Sequence, residues 1–155
     1  MTDERYREHR RGVFRRVNYL NVTRRWPYST NSFEAIFSSH VLEHLPLRGA
    51  RICAGESYRC LRPGGVLRLS VPDLDAHIRE FAPARAFAWA VNFFEADETS
   101  EKNMHHFMYN FDSLSQLLKE AGFPRVVRRE HRQGDCPDVE QIDNRPGSLF
   151  VEAFK

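Results

Sequence analysis

The sequence predicts an α/β layered fold, and three observations carry the prediction. Strand-like and helix-like segments alternate along the 155 residues. Apolar runs such as Val66 to Val71 (VLRLSV) are short, rich in β-formers and bounded by turn residues. Helical stretches close on glycine and proline signals, at Arg62-Pro63-Gly64-Gly65 and at Gly122-Phe123-Pro124. A chain of this length builds one core.

In chain order, Val17 to Val22 (VNYLNV) reads as a first strand. Phe33 to Ser38 (FEAIFS) reads as a second, after the turn-forming Ser29-Thr30-Asn31-Ser32. Leu47 to Leu61 carries apolar residues near helical spacing and stops at the RPGG turn. VLRLSV is then a buried strand ending at Pro72. Asp73 is placed to cap a helix through Ala76, Ile78 and Phe81, which Pro83 interrupts. An aromatic helical stretch follows from Ala84 to Glu95, and Asp97 to Tyr109 is polar and irregular. Asp112 is expected to cap a helix carrying Leu114, Leu117, Leu118 and Ala121. Arg125 to Arg132 and Ser148 to Phe154 read as the last two strands.

No apolar run is long enough to span a bilayer, and MTDERYREHRRG lacks the apolar stretch of a signal peptide, so a cytoplasmic location is expected. Cys53, Cys60 and Cys136 are an odd number without CxxC spacing, which argues for reduced thiols. A formal net charge of +2 makes no case for nucleic-acid binding. Arg5, Arg7, Arg10, Arg11, Arg15 and Arg16 interleave with Asp3, Glu4 and Glu8, a solvated basic arm over residues 1–16 ahead of a domain at 17–155.

Three stretches together resemble a known family. They are Trp26-Pro27-Tyr28-Ser29-Thr30-Asn31-Ser32-Phe33-Glu34-Ala35-Ile36-Phe37-Ser38-Ser39-His40-Val41-Leu42-Glu43-His44-Leu45, then Cys60-Leu61-Arg62-Pro63-Gly64-Gly65-Val66-Leu67-Arg68-Leu69-Ser70-Val71-Pro72-Asp73, then His105-His106-Phe107-Met108-Tyr109 with Phe111 to Phe123. In this order they resemble class I S-adenosylmethionine-dependent methyltransferases of the type 11 kind. The third stretch, with Arg145-Pro146-Gly147-Ser148-Leu149-Phe150-Val151-Glu152-Ala153, is similar to a subgroup found with sugar- and polysaccharide-modifying genes.

The resemblance implies a partial Rossmann-like sheet, with strands equivalent to the third to seventh of the family, flanked by helices. The family's glycine-rich cofactor turn has no counterpart ahead of Val17, where Gly12 is the single glycine, so the chain reads as N-terminally truncated. S-adenosylmethionine is the implied cofactor. Asn21 and Val22 fall at the adenine position, and Ser38, Ser39, His40 and His44 near the methionine end. Asp73, His105, His106 and Tyr109 are the implied acceptor residues, with His106 and Asp73 as candidate bases. The spacing of His40 and His44 also suits metal ligands, but no third ligand is visible and no metal is expected.

The implied activity is methyl transfer to a small-molecule or sugar-type acceptor. The alternative is an inactive methyltransferase-like fragment serving as an interaction or oligomerisation module. Loss of the family's first strand should bare the FEAIFS edge, to be covered by VNYLNV moving inward or by a second copy in a homodimer.

Overall fold

The computed structural model describes residues 18–94 and 104–155; the basic arm and most of the Asp97–Tyr109 stretch lie outside them. Strand β1 (Phe33–Ser39) leads through a 3₁₀ turn (Leu42–His44) into helix α1 (Leu47–Cys60). Strand β2 (Leu61–Val71), helix α2 (Leu74–Glu80), a 3₁₀ turn (Pro83–Arg85) and helix α3 (Ala86–Phe94) follow. Helix α4 (Phe111–Glu120), strand β3 (Arg125–Arg129), the short helix α5 (Val139–Ile142) and strand β4 (Leu149–Phe154) complete the described chain.

The sheet order is β1-β2-β4-β3. β1 and β2 are parallel, and β4 runs antiparallel between β2 and β3. The C-terminal ends of β1, β2 and β3 therefore share one edge with the start of β4. In open α/β sheets that edge is where ligands bind.

The pairing register sorts the side chains into two faces. Ile36, Leu67 and Ala153 align on one face, as do Ser38, Leu69 and Val151. Helices α1 and α4 cover it with Ala50, Ala54, Leu114 and Leu118, giving the apolar core. Truncating a buried leucine such as Leu118 would cost about 2–5 kcal/mol. The opposite face carries Phe37, Arg68 and Glu152 in register. Here the segment after β3 folds across the sheet, and Arg68 meets the carbonyls of Glu130 and Gln133 and the carboxylates of Asp143 and Glu152.

Four expectations need correction. VNYLNV forms no strand over its described residues, 18–22. Asn21 instead folds the chain into a turn, its Oδ1 accepting from the Thr23 amide at 3.0 Å and the Thr23 hydroxyl at 2.8 Å. Among the described residues no strand lies beside it to complete a ladder, and unpaired backbone does not hold a strand. Asp112 is not the cap of α4. Asn110 is, in a reciprocal capping box with Ser113. The RPGG segment ends α1 but lies within β2, whose ladder with β1 jumps from the Phe33–Leu61 pair to Ala35–Val66. Gly64, at φ +78°, makes that detour. His40 and His44 do not share a helical face, because only the 3₁₀ turn Leu42–His44 lies between β1 and α1.

Among the described residues no strand pairs with the outer edge of β1. Leu20 and Val22 pack against the core beside it, without joining the sheet. No described helix is long and apolar enough to cross a membrane.

Candidate functional site

The chain leaves β1 through His40, whose φ of +50° is in the left-handed region. Non-glycine residues rarely hold it, and such positions concentrate at functional sites. The surroundings fix this residue from three sides. Its amide donates to the Ser70 carbonyl at 2.8 Å, Nε2 lies 2.9 Å from Ser148 Oγ, and Nδ1 lies 3.1 Å from Glu43 Oε1. Ser148, at the start of β4, uses its own hydroxyl proton on the Arg145 carbonyl.

Glu43 is fully buried in the 3₁₀ turn. Its backbone carbonyl accepts from the His106 and Phe107 amides at 2.6 and 3.2 Å, which ties residues 105–107 to the end of β1. His105 is held from the other direction. Its amide donates to the Phe94 carbonyl and Nδ1 lies 2.8 Å from the Phe93 carbonyl. The His44 and His105 rings then sit 5.0 Å apart, next to the Glu43 carboxylate.

Asp73 follows β2 and is buried. One carboxylate oxygen caps α2 through the Asp75 amide, and the other takes Arg128 Nη2 at 3.0 Å. Both oxygens are thus committed. Tyr109 forms a bridge with Asp73, and its buried hydroxyl has no hydrogen-bond partner. Burial, reinforced by the charges of Glu43 and Cys53, pushes the phenol up to about 12. His106 is exposed.

Along the outer edge of β1 runs a cleft of about 430 Å³. Leu20, Val22, Trp26 and Tyr28 face it from one side, Ile36, Ser38 and Ser39 from β1, and Cys53 and Ala54 from α1. A pair on α1 holds the outer wall in place. Glu56 accepts from the Trp26 amide at 2.8 Å, and Arg59 donates to the carbonyls of Trp26 and Tyr28. The Arg59 hydrogen bond holds the Glu56 carboxyl below the usual range. Burial pushes the Cys53 thiol up to about 11, so it is a packing residue rather than a nucleophile.

The structure therefore brings Ser38, Ser39, His40, His44 and His105 to one end of the sheet and puts Val22 in the cleft. It commits Asn21 to hydrogen bonds with Thr23 and Asp73 to hydrogen bonds with Asp75 and Arg128. Sequence reasoning missed Glu43 and Ser148. The signal for Glu43 was a carboxylate directly after the apolar pair Val41-Leu42, between His40 and His44; Ser148, a contact across 108 residues, had none.

Residues 4–127 match the family described as "Methyltransferase domain". The chain belongs to the methyltransferase-domain family. Solved structures agree on the fold of this methyltransferase domain. A SAM-dependent methyltransferase from Thermotoga maritima aligns over 96% of this chain and 69% of its own, at 17% identity and a TM-score of 0.60. An O-methyltransferase family protein from Burkholderia thailandensis aligns over 98% and 39%, at 14% identity and a TM-score of 0.56. A SAM-dependent methyltransferase from Archaeoglobus fulgidus aligns over 83% and 62%, at 13% identity and a TM-score of 0.54. The domain spans well under half to about two-thirds of the length of these proteins. No curated protein matches the sequence.

The cofactor of this fold, S-adenosylmethionine, can be tested against the cleft. Its volume lies within the usual range for small-molecule sites, and its walls are largely apolar, as the two faces of a purine require. Among the described residues no glycine precedes Gly49. Ser38 and Ser39 supply polar groups to the cleft wall. The buried Ser70 hydroxyl, opposite Ser39 in the ladder, has no hydrogen-bond partner. The residues fit the adenosine portion and offer hydroxyls towards the remainder.

Proposed function

We propose that this methyltransferase domain transfers a methyl group from S-adenosylmethionine to a hydroxyl of a small-molecule or sugar-type acceptor. The observation that carries the reading is the convergence of an apolar cleft with polar residues from four separate segments at the C-terminal ends of β1 and β2. The cofactor supplies a methyl group already activated on a sulfonium, which leaves the protein to align the acceptor oxygen in line and exclude water.

In this reading Leu20, Val22 and Ile36 flank the purine, with Asn21 at the rim. Ser38, Ser39 and His40 face the methionine end, and His44 stands behind them. Asp73, His105, His106 and Tyr109 border the acceptor. His106 takes the acceptor proton, because it is exposed while both Asp73 oxygens are already engaged. Asp73 then acts by holding Arg128 and α2 in place. The subgroup resemblance at His105-His106-Phe107-Met108-Tyr109 is what favours a sugar-type acceptor.

Turnover tests this directly. The domain is incubated with S-adenosylmethionine and a panel of sugars and nucleotide sugars, and S-adenosylhomocysteine is quantified. His106→Ala is expected to lower kcat by about 10²–10⁴-fold with little change in KM. Full kcat in that variant would remove His106 from the mechanism. A second reading, a non-catalytic interaction module, is favoured by the outer edge of β1, which no described strand pairs with and which is a template for another strand. It predicts a concentration-dependent dimer in light scattering and no turnover with any acceptor.

A further inference from the structure

We propose that Glu43, His44 and His105 form a binding site for a divalent transition-metal cation at the end of β1. The three residues each offer one ligand atom, and these atoms all lie within 4.8 Å of one another. The Glu43 Oε1 to His44 Nε2 distance is 3.9 Å. Bonds of about 2.1 Å to a tetrahedral ion would bring such donors to about 3.4 Å apart, a movement within reach of side-chain rotation.

The carboxylate supplies the driving force. Glu43 is fully buried, and neither of its oxygens accepts a hydrogen bond. A buried carboxylate is retained at little cost only when paired or coordinated to a cation. His40 Nδ1 is near, at 3.1 Å, yet the Ser148 hydroxyl spends its proton on Arg145 and so accepts from His40 Nε2–H. Neither Glu43 oxygen gains a hydrogen bond from this contact, which leaves the carboxylate for a cation.

The histidines suit the role. The Phe93 carbonyl takes the Nδ1–H of His105, the outer-shell arrangement of metal-bound imidazoles. The His106 and Phe107 amides anchor this segment to the Glu43 backbone, so the ligand from a distant part of the sequence is held in register with the other two. A two-imidazole, one-carboxylate set favours Zn²⁺, Fe²⁺, Mn²⁺ or Co²⁺ over Mg²⁺ or Ca²⁺. Three protein ligands leave coordination positions open, and an acceptor oxygen there would be polarised by the ion. This last role rests on the proposed methyl transfer, but the site itself does not.

The test is titration of Co²⁺ and Zn²⁺ into tag-free protein, followed by calorimetry and by the visible absorption of the Co²⁺ form. One equivalent should bind, with ligand-field bands of an imidazole site. Glu43→Gln, His44→Ala and His105→Ala should each weaken binding at least about tenfold, with circular dichroism confirming that they fold. His131→Ala, on the opposite face of the sheet, should bind as the parent does. Binding that is absent, or that survives both His44→Ala and His105→Ala, would overturn the proposal. One-equivalent binding without turnover would leave the metal site standing and count against methyl transfer alone.

Discussion

Two fully buried carboxylates sit on this sheet in opposite circumstances. Glu152, at the centre of β4, accepts from the amides of Asp135 and Cys136 and from Arg129 Nε, with Arg68 Nη1 at 3.4 Å. Asp143 completes the group by taking the other side of Arg68 and the Arg132 amide. Glu43, two strands away at the end of β1, accepts no side-chain hydrogen bond. A satisfied network specifies one packing of a loop on a sheet. An unsatisfied carboxylate is a place where the protein awaits something else. The first region reads as architecture and the second as site.

Mutations should separate the two. The largest effect is expected at Arg68→Met, which leaves Glu152 and Asp143 buried without their cation. Urea denaturation should show a loss of about 3–5 kcal/mol; a loss below about 1 kcal/mol would mean that the network is not structural. Gly134→Ala comes next. The glycine has φ +157° and an added Cβ would lie 2.2 Å from Glu152 Oε1, so the same measurement should show a loss of about 1–3 kcal/mol. Glu43→Gln should behave in the opposite sense. Removing a buried charge that accepts no hydrogen bond should leave stability unchanged or raise it, while turnover falls. A Glu43→Gln domain that unfolds with full activity in its folded fraction would erase the distinction.

The smallest effect is a pH dependence shared by both regions. Burial pushes the Cys53 and Cys136 thiols up to about 11 from 9.0. The folded chain then holds these protons more tightly than the unfolded chain, so stability is full below pH 9 and drains as pH climbs towards 11. Urea midpoints at pH 8 and pH 10.5 should differ in that direction. The same thiols should resist alkylation at neutral pH until the chain unfolds.

Much of the fold was legible because the signals were local. The Gly122 turn, the Asp73 cap and the buried strand VLRLSV follow from residue types at fixed offsets. VNYLNV misled because its composition is that of a strand while no described strand pairs with it, and composition does not report partners. The site was half legible. His40, His44 and His105 stood out as residue types, but what makes them a site is the Glu43 carbonyl holding residues 106 and 107 by their amides. Backbone hydrogen bonds of that reach leave no mark on the pattern of side chains. The Arg68–Asp143–Glu152 group was invisible for a related reason: charged residues in alternate strand positions ordinarily face water, and here a loop closes over them.

The central claim is that the cleft beside β1 holds an adenosyl cofactor. Calorimetric titration of S-adenosylhomocysteine into the purified chain tests it most directly. Saturable binding of one equivalent, weakened about tenfold or more by a charge placed in the apolar wall with Val22→Asp, is the result expected. A folded chain that takes up no ligand would contradict it.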